Sequence, residues 1–215
     1  MKFKIILIAA SLFLVANCSF SQNFFFLNDS ASVSAYYTSG AYDDELRGII
    51  KPAIEYFKNL PVHNNTVVVF DVDETSLSNF EVFRASGYKW NAKLYDNQLE
   101  TESSQAVQPV LELYNILKER GFKVFFITGR DFNDFNYSHT LGNLQKSGYS
   151  NIDTLILRPA EFKTSNAQEY KSSIRQQLAN NGYTFVGNVG DQWSDMAGGN
   201  AGYMVRITNY MYCIK

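Results

Sequence analysis

The sequence predicts an α/β fold built on a mainly parallel sheet. Short apolar runs alternate along the chain with segments whose apolar residues recur at helical spacing. Continuous apolar runs are typical of strands that are buried on both faces of a parallel sheet. The 215 residues, of which 46% are hydrophobic and 19% charged, are sufficient for one domain with a sizeable core.

The predicted elements follow one another in a regular order. The chain between 23 and 40 has no clear periodicity and is expected to be an irregular lead-in. Pro52 lies inside the first predicted helix, where a proline favours a kink. Residues 76–104 are less regular, and we interpret them as a small inserted subdomain. Helices are predicted at 42–59, 107–121, 131–146 and 168–181, and strands at 66–70, 123–127, 154–157, 184–189 and 203–207.

The N-terminus has the pattern of an export signal. Two lysines precede an apolar run at 5–16, which is shorter than the roughly 20 residues that a membrane span requires. Small residues just before Gln22 favour cleavage there, so we expect a signal peptide at 1–21 and a mature domain at 22–215. The mature protein would be periplasmic or secreted. A buried N-terminal helix, a membrane anchor and a lipoprotein attached at Cys18 are the alternatives.

Net charge and the scarce residue types argue against several partners and mechanisms. A formal net charge of −2 gives no support for a nucleic-acid polymer as partner. Cleavage before Gln22 would leave Cys213 as the only cysteine, so the mature protein would have no intramolecular disulfide. His63 and His139 both lie outside the polar motifs, which disfavours a histidine-phosphatase or zinc mechanism. Oligomeric state is left open, and a homo-oligomer is one alternative.

Polar residues follow the predicted strands. Asp71 and Asp73 come after the first strand, and two residues apart on an extended stretch they project to the same side, whereas Glu74 falls on the other. Thr128, Gly129 and Arg130 come after the second strand. Ligands of parallel sheets bind beyond the carboxyl ends of the strands, so these residues are candidates for a site.

Three further charged residues belong to the same set. Lys171 lies on the helix predicted at 168–181, and Asp191 follows the fourth strand. Asp195 would share a face with Asp191 if a helical turn begins after Gly190. Taken singly, these acids fit turns or helix caps and the lysine fits a solvated helix face. The repeated placement after strands favours a common site.

Charge indicates what such a site would bind. Asp71, Asp73, Asp191 and Asp195 carry a formal charge of −4, which Lys171 reduces to −3 and a divalent cation to −1. Carboxylates without histidine or cysteine favour Mg²⁺, which retains water ligands and is completed by substrate phosphate. The residues therefore predict a magnesium site for phosphate chemistry.

Four strings carry a family resemblance. FDVDETSLSN, FITGR, YKSSIR and NVGDQWSDM resemble the four motifs of the haloacid dehalogenase (HAD) superfamily of phosphohydrolases. The likeness spans about 40–206 and is to the branch containing class B-like bacterial acid phosphatases and plant vegetative storage proteins. It implies a Rossmann-like three-layer fold, with a small cap between the first and second motifs that matches 76–104.

The resemblance also implies roles for individual residues. Asp71 would be the nucleophile that forms an aspartyl-phosphate, and Asp73 would protonate the leaving alcohol and then activate water. Thr128, Gly129 and Lys171 would bind the substrate, with Thr128 and Lys171 contributing to catalysis. Mg²⁺ would be held by Asp71, the backbone carbonyl of Asp73, and Asp191, with Asp195 acting directly or through water.

The implied activity is that of an exported, Mg²⁺-dependent acid phosphatase, a phosphoric monoester hydrolase acting on a small phosphomonoester such as a nucleotide or an aryl phosphate. A storage or binding protein on the same fold is one alternative, and a phosphotransferase is another. Phe83, Tyr88 and Trp90 in the cap would either stack on a substrate ring or form the core of the cap. Arg130 would contact either substrate or a nearby carboxylate.

Overall fold

The computed structural model describes residues 29–213 and contains a parallel sheet of five strands. The order across the sheet places the first strand at its centre, which confirms the predicted α/β class. The strands of this sheet and of a small antiparallel pair are β1 (Thr66–Phe70), β2 (Leu77–Ser78), β3 (Gln105–Ala106), β4 (Lys123–Asp131), β5 (Thr154–Arg158), β6 (Thr184–Gly190) and β7 (Tyr203–Arg206). The five-stranded sheet has the order β5-β4-β1-β6-β7, and β2 pairs with β3.

The described residues contain the four predicted helices and four shorter helices that the apolar periodicity did not predict. They are α1 (Ser30–Thr38), α2 (Ala41–Lys58), α3 (Phe80–Ala85), α4 (Ala92–Glu100), α5 (Gln108–Glu119), α6 (Asp134–Lys146), α7 (Ala167–Asn180) and α8 (Trp193–Met196), with a 3₁₀ turn at Ala160–Phe162. α2 and α7 lie within one residue of the predicted bounds. α2 runs through Pro52 without interruption, and the proline lies on its exposed side.

Both faces of β1 are covered. Val68 and Phe70 pack into the larger hydrophobic core with residues of α2 and α5, whereas Val67 and Val69 pack into a smaller core with Tyr170 of α7. Burial on both faces explains why β1 is continuously apolar in sequence rather than alternating. Because helices cover the faces, the carboxyl ends of the strands form the edge at which a ligand can bind.

β4 is longer than predicted, and the helix after it is shorter. The strand continues to Asp131, which pairs with Arg158 of β5 after an irregularity in register. α6 consequently begins at Asp134, with Asn133 as its N-cap, and the prediction of a helix from 131 is wrong. The residues at 128–130 lie inside the strand rather than in a turn after it, because pairing with β5 resumes beyond them.

The irregular lead-in predicted at 23–40 is wrong over α1. The carboxylate of Asp29 caps this helix by accepting a hydrogen bond from the N–H of Ser32 at 2.8 Å. Only Val33 and Tyr36 of α1 are buried, so the helix lacks the broad apolar stripe that periodicity detects. The rest of the lead-in, before Asp29, lies outside the described residues.

Residues 76–104 form β2, α3 and α4 and return to the sheet through β3. Phe83 and Tyr95 of this segment line the same cavity as Asp71, so the segment covers the carboxyl-end edge beside β1. Of the residues that the structure describes, no helix combines the length and apolar character needed to cross a membrane. The signal peptide expected at 1–21 lies outside them.

Candidate active site

A cavity of about 750 Å³ opens at the carboxyl ends of β1, β4 and β6. The sheet brings nearly all of the predicted site residues to it. Thr128 is the exception, because it is fully buried on β4, where its hydroxyl accepts a hydrogen bond from the N–H of Arg130 at 3.3 Å. The predicted residues that line the cavity are Asp71, Asp73, Gly129, Lys171, Asp191 and Asp195.

Three buried carboxylates meet at the base of this cavity. Asp71, Asp191 and Asp195 each offer an oxygen, and these oxygens lie within 4.8 Å of one another. The carboxylate of Asp73 points elsewhere, so only its backbone remains available to a cation held by the other three. The donors are all oxygens of hard anionic groups, which fits Mg²⁺ better than zinc.

Lys171 lies between two of these carboxylates. Its ammonium donates to Asp71 and, at 2.6 Å, to Asp195, and the side chain is buried on α7. Burial alone would lower the pKa of Lys171, but Asp195 and Asp71 outweigh that effect and raise it. The lysine is therefore a fixed positive charge, and its contacts hold both carboxylates toward the cavity.

The lysine does not neutralise the cluster. Burial raises the pKa of Asp71 well above its usual range, and Lys171 opposes this while the other acids add to it. Burial likewise raises the pKa of Asp191 to about 6, and Asp195 adds to the shift. Raised pKa values in neighbouring acids indicate excess negative charge in a poorly solvated place. A divalent cation would relieve that excess.

Local backbone structure fixes Asp195 in the cluster. Gln192 and Asp195 form a capping box at the start of α8, in which the N–H of Gln192 donates to the Asp195 carboxylate at 2.9 Å. Gly190 leaves room for this arrangement, since a Cβ atom there would lie 2.5 Å from that of Asp195. Gly190 is needed because the Asp195 side chain lies close to its Cα atom, and not because its backbone conformation is unusual.

Asp191 is held by donors on both of its oxygens. The hydroxyl of Thr75 donates to Oδ1 at 3.1 Å, and the amides of Gln192 and Asn209 donate to Oδ2 at 2.5 and 2.7 Å. Hydrogen bonds of this kind fix the orientation of a carboxylate that binds a metal. The contacts come from three separate parts of the chain, so the orientation of Asp191 depends on the complete fold.

Arg130 contacts a carboxylate, one of the two partners left open by its position in the sequence, and it also lines the cavity. It donates to both oxygens of Asp73, at 3.0 and 2.8 Å, and to the hydroxyl of Thr140 at 2.9 Å. Asn79 and Tyr95 also donate to Asp73, at 2.8 and 3.2 Å. Burial would raise the pKa of Asp73, but Arg130 and these hydrogen bonds lower it. Asp73 is thus an anion in the free site.

Glu74 belongs to the site, and the expectation that it points away is wrong. Its φ of 55° takes the chain out of the extended conformation on which the alternation rule depends. The carboxylate lines the cavity and accepts from the N–H of Asn79 at 2.6 Å and from the hydroxyl of Tyr212 at 2.8 Å. Burial raises the pKa of Glu74 to about 8, and Asp73 adds to the shift.

Besides Thr75 and Gln192, sequence reasoning missed four polar residues that contact the acids. Asn79 lies within the string FDVDETSLSN, which was a usable signal. Tyr95, Asn209 and Tyr212 reach the site from α4 and from the end of the chain, and nothing in their local sequence marks them. Their contacts arise only when distant elements pack together.

The cap aromatics divide between the two alternatives. Phe83 is buried, with its ring centroid 5.2 Å from that of Tyr212, so it belongs to the packing of the segment. The hydroxyl of Tyr88 pairs with Ser34 of α1 at 2.7 Å. Trp90 is 64% exposed at the cavity mouth, where it contacts Tyr95. Trp90 is the most exposed of the three rings and so offers the largest aromatic surface to a ligand.

Comparison with known proteins identifies the family. The model of the HAD superfamily, subfamily IIIB (acid phosphatase), matches residues 23–215. The chain belongs to this family. Membership confirms the resemblance carried by the four motifs and the predicted enzyme class, a phosphoric monoester hydrolase.

Several plant proteins are similar to this member of subfamily IIIB. The Stem 28 kDa glycoprotein of Glycine max is 36% identical over 180 residues, which cover 81% of this chain and 70% of that protein. Acid phosphatase 1 of Solanum lycopersicum is 33% identical, covering 85% and 73% of the two chains. Vegetative storage protein 1 of Arabidopsis thaliana is also 33% identical, covering 82% and 67%.

A solved structure supports the fold. The class C acid phosphatase from Bacillus anthracis with tungstate bound superposes with a TM-score of 0.69. The match covers 86% of this chain and 85% of that chain at 16% sequence identity. At that identity the likeness concerns the fold alone, and it agrees with the HAD-like architecture expected from the sequence.

Proposed function

We propose that this protein is an exported, Mg²⁺-dependent acid phosphatase that hydrolyses phosphomonoesters through an aspartyl-phosphate at Asp71. The observation that carries the proposal is the buried cluster of Asp71, Asp191 and Asp195 around Lys171, at the base of a cavity large enough for a small substrate. Membership of the acid phosphatase family gives the reaction type.

The reaction needs a nucleophile and a proton carrier. An oxygen of Asp71 attacks phosphorus as the bond to the ester oxygen breaks, and Asp73 gives its proton to the departing alcohol. In the second step Asp73 takes a proton from water, and the water oxygen displaces Asp71 from phosphorus. Inorganic phosphate leaves, and both carboxylates return to their starting states.

Asp73 must carry a proton in the first step, although Arg130 lowers its pKa in the free site. A substrate phosphate entering the cavity offers Arg130 a second anion. When the guanidinium is shared between phosphate and Asp73, it stabilises the Asp73 anion less. The pKa of Asp73 therefore rises, and its carboxyl group can hold a proton. Mildly acidic solution favours the same form, which agrees with an acid phosphatase.

The remaining residues act through charge and position. Lys171 places a positive charge beside Asp71 and so stabilises the negative oxygens of the transferring group. Gly129, which lines the cavity on β4, would contact those oxygens through its backbone, whereas the neighbouring Thr128 is fully buried and its hydroxyl accepts from the N–H of Arg130. Asp71, Asp191 and Asp195 with the carbonyl of Asp73 would hold Mg²⁺. A bound Mg²⁺ supplies charge neutralisation for the phosphoryl oxygens.

A storage protein on this fold is the rival candidate, and the likeness to Vegetative storage protein 1 favours it. The presence of Asp71 within an intact carboxylate cluster favours the enzyme, since storage alone needs neither the nucleophile nor the buried charge. A phosphotransferase is the third candidate, in which an alcohol takes the place of water in the second step.

Hydrolysis of a generic aryl phosphate at mildly acidic to neutral pH tests the proposal. The wild type should release phosphate with Mg²⁺, lose activity in EDTA and regain it on adding Mg²⁺. Asp71→Asn should lower kcat on the order of 10⁴-fold or more, because an amide cannot attack. Asp134→Asn is the matched control, because Asp134 is an exposed acid on the first turn of α6.

Three results would decide against parts of the proposal. Absence of activity in the wild type would favour the storage protein, and retained activity in Asp71→Asn would exclude the aspartyl-phosphate. An added alcohol that accepts most of the phosphate would favour the phosphotransferase. Export is tested separately by the N-terminus of the mature protein, expected at Gln22; a lipid-modified Cys18 would instead identify a lipoprotein.

A further inference from the structure

The C-terminal segment, defined here as residues 208–213, runs from the end of β7 to the candidate active site. The N–H of Ile207 donates to the carbonyl of Gly190 at 3.0 Å, so the chain leaves β7 beside the residue that precedes Asp191. From there the segment passes toward α3, where Tyr212 contacts Phe83. Met211 and Tyr212 line the cavity together with the acids.

Contacts along its length fasten this segment. The hydroxyl of Thr208 donates to Glu45 of α2 at 2.6 Å, and the N–H of Tyr210 donates to the hydroxyl of Tyr37 of α1 at 3.2 Å. At the far end Tyr212 donates to Glu74. These contacts keep the backbone of the segment beside the acids, and the orientation of the Asn209 side chain is set by its own hydrogen bonds.

The two ends of the Asn209 amide group bind different partners. Its Oδ1 accepts from the N–H of Met211 at 2.8 Å and more weakly from that of Tyr212 at 3.4 Å. Its Nδ2 donates to Oδ2 of Asp191 at 2.7 Å. The backbone N–H groups require the oxygen on their side, so the amide group is oriented by its own turn and must present its donor to Asp191.

The Asn209 amide makes the hydrogen bonding of the two Asp191 oxygens unequal. Within residues 29–213, Oδ2 receives the Asn209 amide and that of Gln192, whereas Oδ1 receives only the hydroxyl of Thr75, at the longer distance of 3.1 Å. Each carboxylate oxygen has about two lone-pair sites. Two donors occupy Oδ2, and Oδ1 retains capacity for a cation shared with Asp71 and Asp195.

We propose that Asn209 is a positioning residue that holds Asp191 in the orientation in which it binds the divalent cation, so that the C-terminal segment forms part of the metal site. This inference rests on the proposed function, because it assumes that the three carboxylates take a cation. A purely structural role for Asn209, closing the turn at Met211, predicts altered stability with unchanged cation binding.

Mg²⁺ binding to the full chain without substrate, measured by isothermal titration calorimetry, distinguishes the two roles. Asn209→Ala removes the donor and is expected to weaken Mg²⁺ binding by about 10–100-fold, the usual effect of losing a partner of a metal-binding carboxylate. The Mg²⁺ concentration for half-maximal hydrolysis of an aryl phosphate should rise by the same factor, while activity at saturating Mg²⁺ recovers.

Two further variants distinguish the positioning of Asp191 by Asn209 from a general loosening of the C-terminal segment. Asn209→Ser retains an oxygen that can accept the N–H of Met211 but is too short to reach Asp191, so it should show the same loss of affinity and guards against misfolding of the alanine variant. Thr208→Val removes the hydrogen bond between Thr208 and Glu45, next to Asn209, and leaves the Asn209 amide donor in place. Its Mg²⁺ affinity should match the wild type.

Wild-type affinity in Asn209→Ser, or an equal loss in Thr208→Val, would overturn the inference. The proposed function is judged separately, on the wild type. A wild type that binds Mg²⁺ without hydrolysing esters would end the phosphatase proposal, and the variants would still decide the role of Asn209. A wild type that binds no Mg²⁺ would overturn both.

Discussion

Arg130 holds Asp73 by both carboxylate oxygens, with Nε 3.0 Å from Oδ2 and Nη2 2.8 Å from Oδ1. A paired contact of this geometry is strong and specific. It connects the end of β4 with the loop after β1, and Arg130 also lines the cavity in which we propose that the substrate phosphate binds. The pH dependence of the enzyme should therefore depend on Arg130.

Arg130→Met is expected to move the high-pH limb of the kcat/KM profile to higher pH while lowering its maximum. Burial then raises the pKa of Asp73 without the opposing arginine, so the protonated form needed to release the alcohol persists at higher pH. Arg158→Met is the control, because Arg158 also lines the cavity but pairs with Asp131. A profile with an unmoved limb would contradict the role given to Asp73.

Lys171→Met should destabilise the metal-free protein by about 3–5 kcal/mol, because it leaves the buried carboxylates of Asp71 and Asp195 without their cation. Urea unfolding in EDTA measures this, and added Mg²⁺ should restore part of the loss. Lys118→Met removes a partly exposed pair with Asp153 and should cost at most about 1 kcal/mol. Equal losses in both variants would contradict the charge argument.

Gly190→Ala should lower the free energy of unfolding by about 1–3 kcal/mol and weaken Mg²⁺ binding, because the new methyl group displaces the carboxylate of Asp195. Thermal unfolding and calorimetry measure the two effects. Gly48→Ala is the control: the added Cβ meets no atom within 4 Å on the exposed side of α2, and alanine should stabilise that helix. Unchanged Mg²⁺ affinity in Gly190→Ala would show that Asp195 can move without consequence.

The sequence was most informative where one local rule determines the structure. Burial on both faces makes β1 a continuous apolar run, and the acids directly after it mark the edge of the sheet. Asp71, Lys171 and Asp191 could be placed together because a parallel sheet brings the ends of its strands to one edge. These inferences required only the type and order of the elements.

Residues that depend on chain reversal or on unusual backbone conformations could not be placed in this way. Glu74 was assigned to the wrong side because its positive φ breaks the alternation of an extended chain. Asn209 reaches Asp191 only after the chain turns back from β7, and Tyr95 reaches Asp73 from α4. No period or spacing in the sequence encodes such contacts, since they depend on how separate elements pack.

Glu74→Gln should flatten the dependence of stability on pH between about 4.5 and about 8. Burial raises the pKa of Glu74 from 4.5 to about 8, so the folded state keeps a proton that the unfolded state has released. Wild-type stability therefore falls as pH rises through this window, by up to about 1.4 kcal/mol per pH unit from this group. Glutamine has no proton to release, so urea unfolding in EDTA at several pH values should show a shallower slope. Glu81→Gln, at an exposed acid of α3, should keep the wild-type slope, and a slope unchanged in Glu74→Gln would mean that Glu74 is ionised in the folded protein.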